Sequence, residues 1–388
     1  MNARDRFNAI MSFDTTVKSL KTEYGYWCGT IKNFIKEGMP VVKELPQNIS
    51  NNSSIMGYPK IDDNSKEIVD ENVKSFFNLD PYIAKFPFDV SPMLPEEILE
   101  ENEHYKIYKN KYGITLKERK DGTSAPLDLD FPIKDRKDFE NYKQYYDFNF
   151  KKRLPEKWDI IKQNLKNRDF PIRLGGNPFG FLGFPRHLIG TTNLFIMMYD
   201  NPQLVKDFNE FFLNFIINYW SKILDEIQVD CILIFEDMCY KSGSMISGEM
   251  FKEFLSPYYK RLINFLKEYG IKNIFVDSDG YVEDIIPLFL ECGVTGLSPF
   301  EIQAGNDLIR IRKNYPKLQI LGGIDKKILR SDEGKDFIDK ELEKVPILLK
   351  QGGYIPHIDH HVSEDATWEN FKYYRTTLNS IIDSIQRI

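Results

Sequence analysis

The chain has 388 residues, 42% hydrophobic and 28% charged, with 29 Phe and 21 Tyr, enough apolar side chain for a packed interior and too much for a disordered chain. Its formal charge is −6 and its Lys and Arg are interspersed with Asp and Glu, which excludes nucleic acid as the main partner. Cys28, Cys231, Cys239 and Cys292 form no CxxC pair, Met1 is followed by no apolar leader, and no apolar run reaches about 18 residues. The expectation is a cytoplasmic protein without disulfides or a membrane segment.

In chain order, the first strand candidates are SLKTEYG (19–25) and DPYIAKFPF (80–88). Residues 40–75 are polar and rich in Asn and Ser, and read as a surface excursion. HYKIYKNKYGITLKERKDGTSAPL (104–127) alternates like two strands joined by a KDGT turn, which predicts an inserted antiparallel β-hairpin. FPIRLGG (170–176) leads through a glycine-rich loop to a helix from Asn201 to Ile227, with Pro202 in its first turn. DCILIFED (230–237) precedes a long helical pattern with Ser247 suited to the N-cap, Gly270 to the C′ position and Pro257 in the middle as a kink.

NIFVDSD (273–279), GVTGLSPFE (293–301) and LQILGGID (318–325) are each followed by a helical pattern, GGYIPHID is the last strand, and WENFKYYRTTLNSIIDSI is the closing helix. Eight strands alternating with helices predict an α/β fold, a (β/α)8 TIM barrel with extra N-terminal segments. A doubly wound sheet is the alternative. The whole chain, 1–388, reads as one barrel domain with an inserted excursion at about 40–150.

Active sites of such barrels lie at the C-terminal ends of the strands. Glu23 and Trp27 follow the first strand, Asn177 and Phe179 the FPIRLGG strand, and Glu236, Asp237, Tyr240 and Lys241 the DCILIF strand. Asp277 and Asp279 end NIFV, Glu301 ends GLSPF, Asp325 ends LQILGG, and His357, Asp359 and His360 end GGYI. A ring of carboxylates at one mouth repels itself unless a cation or a basic substrate compensates, and a metal ion does so economically. Plainer roles compete: Asp237 and Lys241 suit a loop salt bridge, Asp325 a helix cap, and Asp277 and Asp279 a DSDG turn. His361, His104 and His187 read as bystanders.

RDRFNAIMSF, GGNPFGFLG, FVDSDGYVEDIIPLFLECGVTGLSPFE, LGGID and GGYIPHIDHHV, in that order, resemble the uroporphyrinogen decarboxylase-like superfamily over nearly the whole chain. The resemblance implies a (β/α)8 barrel and one of two activities, porphyrinogen decarboxylation or zinc-dependent methyl transfer involving a cobalt corrinoid on a separate protein. The decarboxylases carry an arginine-rich N-terminal segment for their substrate's carboxylates; here LKTEYGYWCGT stands there, with Glu23. Phe88 and Asp89 match the decarboxylases' catalytic aspartate only faintly.

The corrinoid-dependent, O-demethylase-type methyltransferases are closer. Their zinc-binding His-x-Cys falls on Asp277 and Asp279, and their later Cys on or beside Asp359, next to His360. The resemblance thus implies Zn2+ held by Asp277, Asp279, Asp359 and His360. Without thiolates such a metal is a harder Lewis acid, suited to an oxygen substrate. The expected reaction moves a methyl group between a methoxylated small molecule and corrinoid or methylcobalamin on a partner protein. Glu236, Asp237, Tyr240, Lys241 and His357 are the catalytic candidates, with Tyr240, Lys241 or His357 supplying a proton. Glu23, Trp27, Asn177, Phe179 and Glu301 are the substrate-binding candidates. The alternatives are a metal-dependent decarboxylase or lyase acting on a small carboxylate, and a non-enzymatic module that grips a cationic ligand.

Overall fold

The computed structural model describes residues 1–47, 49–61, 67–121 and 125–385. Its centre is a curled seven-stranded sheet in which every neighbouring pair is parallel. In order across the sheet the strands are Tyr354–Ile355, Gln319–Leu321, Gly296–Pro299, Ile274–Ser278, Cys231–Phe235, Ile172–Gly175 and Ala84–Lys85. These are seven of the eight expected strands. Their short apolar runs suit burial on both faces, as a parallel sheet wrapped in helices requires.

The eighth expected strand, SLKTEYG, joins no parallel ladder. Its polar groups are taken up singly: Lys21 O accepts from Asp80 N at 2.8 Å, and Lys21 N donates to the Asp80 carboxylate at 2.9 Å. Ser19 Oγ donates to Tyr354 O at 3.0 Å. The segment therefore touches both flanks of the curled sheet without extending it. From its last residue, Gly25–Trp27 pairs antiparallel with Ser54–Met56, which pairs with Ile68–Val69 in a separate small sheet.

The expected hairpin is the middle of a four-stranded antiparallel sheet, Glu97–Glu101, Tyr105–Lys109, Thr115–Arg119 and Leu127–Asp130. Its central turn is at Asn110 to Gly113, where the Asn110 side chain accepts from Tyr112 N and Ile114 N. The KDGT turn expected instead lies partly outside the described residues.

Ser247 caps its helix by accepting from Met250 N at 3.2 Å. Pro257 falls in the first turn of a second helix, Ser256–Glu268, so the long pattern divides into Gly248–Phe254 and Ser256–Glu268. Proline has no N–H to give the preceding turn, and the break follows. The helix Pro202–Leu224 buries Phe208, Phe212, Phe215, Tyr219, Trp220 and Ile223. No helix among the described residues is long and apolar enough to cross a membrane.

Candidate active site

Strand register decides which side chains meet inside the curl. Arg173 pairs with Cys231, and Phe235 pairs with Asp277. Paired residues share a face and side chains alternate along a strand, so Arg173, Cys231, Leu233, Phe235 and Asp277 all lie on one face. Tyr24, Tyr82 and His357 pack on one another, with both phenols close enough to Asp277 and Arg173 to feel their charges. The Tyr24 ring stacks on His357 at 6.1 Å, and Tyr82 meets His357 edge-on at 5.2 Å.

His357, expected as a proton donor, is fully buried. Its Nδ1 lies 2.7 Å from Ile358 O, and its Nε2 lies 3.2 Å from the Tyr82 hydroxyl. A carbonyl can only accept, so the proton sits on Nδ1 and Nε2 accepts from Tyr82. Burial pushes the imidazole pKa down to about 4. The ring is a neutral, positioned base at neutral pH.

Asp277 is half-buried, and burial, reinforced by Asp279, pushes its pKa up to about 7 against the pull of Arg173. Asp279 is raised to about 7 by burial and by Glu301 and Asp237, with Lys326 opposing. Glu301 accepts from Gly280 N at 2.9 Å and lies 3.6 Å from Lys326 Nζ. His360 Nε2 is 3.9 Å from Asp279 Oδ2. Burial and Lys326 lower the His360 pKa.

Asp237 stands at the same mouth in a left-handed backbone conformation, φ 41°, which costs a residue with a Cβ about 1 kcal/mol or more. Arg186 holds it there, donating to Asp237 O at 2.5 Å and to Asp237 Oδ2 at 3.0 Å. The loop salt bridge expected at Asp237 thus exists, with Arg186 in place of Lys241.

Several candidates are occupied elsewhere. Glu236 is fully buried and accepts from Phe181 N, Leu182 N and Gly183 N, each at 2.8 Å, and from Tyr259 Oη at 2.5 Å. Four donors fill its lone pairs, so it clamps the glycine-rich loop to the strand end. Gly183 is needed there, because a Cβ would lie 2.3 Å from Phe235 O. Glu23 is sealed against Arg375 at 2.7 Å and Tyr374 Oη at 2.6 Å. Phe179 is fully buried against Phe212 and Trp220 and belongs to the core.

Asn177 and Lys241 are exposed, and Tyr240 is 58% exposed on a short antiparallel pair of strands. Trp27 is half-buried and stacks on His361 at 4.7 Å. His361, read as a bystander, thereby joins the aromatic rim; its Nε2 also meets Ser54 Oγ at 2.5 Å. Asp325 caps the following turn by accepting from Lys327 N at 2.8 Å.

The metal set expected at Asp277, Asp279, Asp359 and His360 does not fit one centre. Asp359 is buried, with Oδ2 accepting from Ile302 N at 2.9 Å and Oδ1 from Lys326 N at 3.2 Å. Its pKa is pushed up to about 7 by burial. Among the described residues no three His, Cys, Asp or Glu side chains are gathered as metal ligands would be.

Arg173 and the tyrosines around it are functional candidates that the sequence pattern did not single out. The available signal was an arginine inside the otherwise apolar strand FPIRLGG.

A curled seven-stranded parallel sheet, a half-barrel with polar groups beyond its strand ends, places the chain among the α/β proteins. A family model described as uroporphyrinogen decarboxylase (URO-D) matches residues 110–380. The chain belongs to that family. Among solved structures, a methyltransferase from Methanosarcina mazei shares the fold, with a TM-score of 0.56, 13% sequence identity, and coverage of 99% of this chain and 98% of that one. No curated protein matches the sequence.

Proposed function

We propose that this URO-D-family protein is a methyltransferase that moves a methyl group between an oxygen-linked small molecule and a corrinoid carried by a partner protein. The observation that carries the reading is Asp277 on the inner face of the strands, a face it shares with Arg173 two strands away, together with the packed rings of Tyr24, Tyr82 and His357. Such a face suits one aromatic or polar small molecule, with a proton donor at hand. The fold shared with a methyltransferase supports the reading. Asp237, Asp277, Asp279 and Glu301 at the mouth argue against a porphyrinogen with its many carboxylates.

The corrinoid, when its carrier docks, supplies the nucleophile that accepts the methyl group in one direction and the donor in the other. The chain's own residues act on the oxygen. As the methyl–oxygen bond breaks, the oxygen keeps the bonding pair and takes a proton from Asp277, leaving an alcohol or phenol. Because its pKa is about 7, Asp277 holds that proton in a substantial fraction of molecules at neutral pH. Tyr82 and His357 fix the wall against which the substrate ring rests. No step is assigned to a metal, since the four expected ligands do not fit one centre.

The test is a methyl-transfer assay with reduced corrinoid protein and a panel of methoxylated compounds, run also in reverse from methylcobalamin. Demethylation of one of them supports the reading; no transfer in either direction overturns it. A second reading, decarboxylation of a small carboxylate, is favoured by Arg173 and would be established by release of CO2 without methyl transfer.

A further inference from the structure

We infer that Arg173 anchors a single anionic group of the substrate, which makes the substrate class a methoxylated aromatic monoanion such as a methoxybenzoate. The methoxylated part rests on the methyltransfer reading above; the anionic part stands on Arg173 alone.

Arg173 is half-buried on the inner face of a strand otherwise apolar, with the fully buried Ile172 and Leu174 on the opposite face. A guanidinium in such a place is costly unless its donors are used. It has five N–H donors, and its side chain makes one hydrogen bond, from Nη1 to Gly175 O at 3.0 Å. Among the described residues no carboxylate lies within ion-pair distance of it. Two other cations near the mouth are occupied: Arg186 by Asp237 at 3.0 Å, and Lys326 by Glu301 at 3.6 Å. Arg173 thus has donors to spare on the inner face of the sheet.

The surrounding loop leaves room for it. Gly176 has φ 97°, and a Cβ there would lie 2.4 Å from Arg173 Nη1. Any side chain at that position would displace the guanidinium. The positive charge is close enough to act on the phenols of Tyr24, Tyr58 and Tyr82 and on Asp277. Tyr24 and Tyr82 rings, 6.1 Å apart and edge to face, with His357 beside both, offer flat surfaces to an aryl ring. The substrate's charge is limited by Asp237, Asp279 and Glu301, which lie beyond the strand ends close enough for the first and last to act on Asp279. One negative charge finds Arg173; several would also meet the carboxylates.

The experiment measures binding to the intact protein by calorimetry, with 3-methoxybenzoate and the neutral 3-methoxybenzyl alcohol as probes, for wild type, Arg173→Lys and Arg173→Met. The acid is expected to bind about tenfold or more tightly than the alcohol. Arg173→Met should lose at least about that factor for the acid and leave the alcohol unchanged, with Arg173→Lys in between because it keeps charge but loses the fork. If Arg173→Met does not fold, shown by circular dichroism, Arg173→Lys carries the test by weakening the acid selectively.

Equal affinity for acid and alcohol, or equal losses for both, overturns the assignment. Its failure and that of the methyltransfer reading are distinguishable. Arg173-dependent binding of the acid without any methyl transfer sinks the transferase and leaves the anion site. Methyl transfer from the acid, with affinity and rate unaffected by Arg173→Met, does the reverse.

Discussion

Arg375 and Glu23 form an ion pair 2.7 Å across, with side-chain exposures of 0% and 1%. It ties the closing helix to the segment beside the first small strand, and Tyr374 and Ile358 N complete the carboxylate's partners. Removing one member leaves the other charge buried and alone. Arg375→Met is expected to cost about 3 to 5 kcal/mol in urea denaturation, and the double variant Arg375→Met/Glu23→Leu to recover a good part of that. A loss below about 1 kcal/mol for the single variant contradicts the pair's burial.

Glu236 is expected to matter for shape. Glu236→Gln turns an amide group toward a nest of N–H donors, so the glycine-rich loop loses its clamp and stability falls by about 2 kcal/mol or more. Hydrogen exchange at Phe181, Leu182 and Gly183 should rise in the variant. Unchanged protection of those amides would show that the loop holds without the carboxylate.

His357 sets part of the response to acid. Its pKa falls from an ordinary 6.5 to about 4 in the folded protein. A base depressed on folding contributes stability that is present above about pH 6.5 and is lost as the pH falls through about 4. The loss in stability between pH 7 and pH 4.5 should be smaller in His357→Gln than in wild type by on the order of 2 kcal/mol. The His357 ring resonances should not titrate between pH 8 and pH 5; a midpoint near 6.5 contradicts the buried neutral tautomer.

Asp277 has the opposite sign. Its carboxyl is raised from 3.8 to about 7, so its contribution is present below about pH 4 and is lost as the pH rises through about 7. Asp277→Asn is expected to melt higher than wild type at pH 8, with the gap closing toward pH 4. The same variant should lose methyl transfer by about a hundredfold or more, the usual yield of a positioned acid. Lower stability at pH 8, or full activity, would remove Asp277 from its role.

The local features of the chain were legible from residue types and spacing. Ser247 caps its helix, Pro257 opens a new one, and Asp325 caps the turn after LQILGG. Seven of eight expected strands form. SLKTEYG was misread because its pattern fits a strand, while the hydrogen bonds of Ser19 and Lys21 go to Tyr354 and Asp80 by side chain and single backbone contact. The central turn of the antiparallel sheet was misplaced because NKYG and KDGT both carry turn chemistry.

Sequence by itself determined where the polar residues fall, beyond the ends of apolar strands, because alternation and turn chemistry are local. Only the tertiary structure decided which way each of them turns. Asp359 meets the amides of Ile302 and Lys326, Glu236 those of Phe181 to Gly183, and Glu23 meets Arg375, 352 residues later. A buried carboxylate must find donors, and those donors arrive from segments remote in sequence. What remains facing the interior, Asp277 with Arg173, does so because strand register puts them on one face, and register is a property of the assembled sheet.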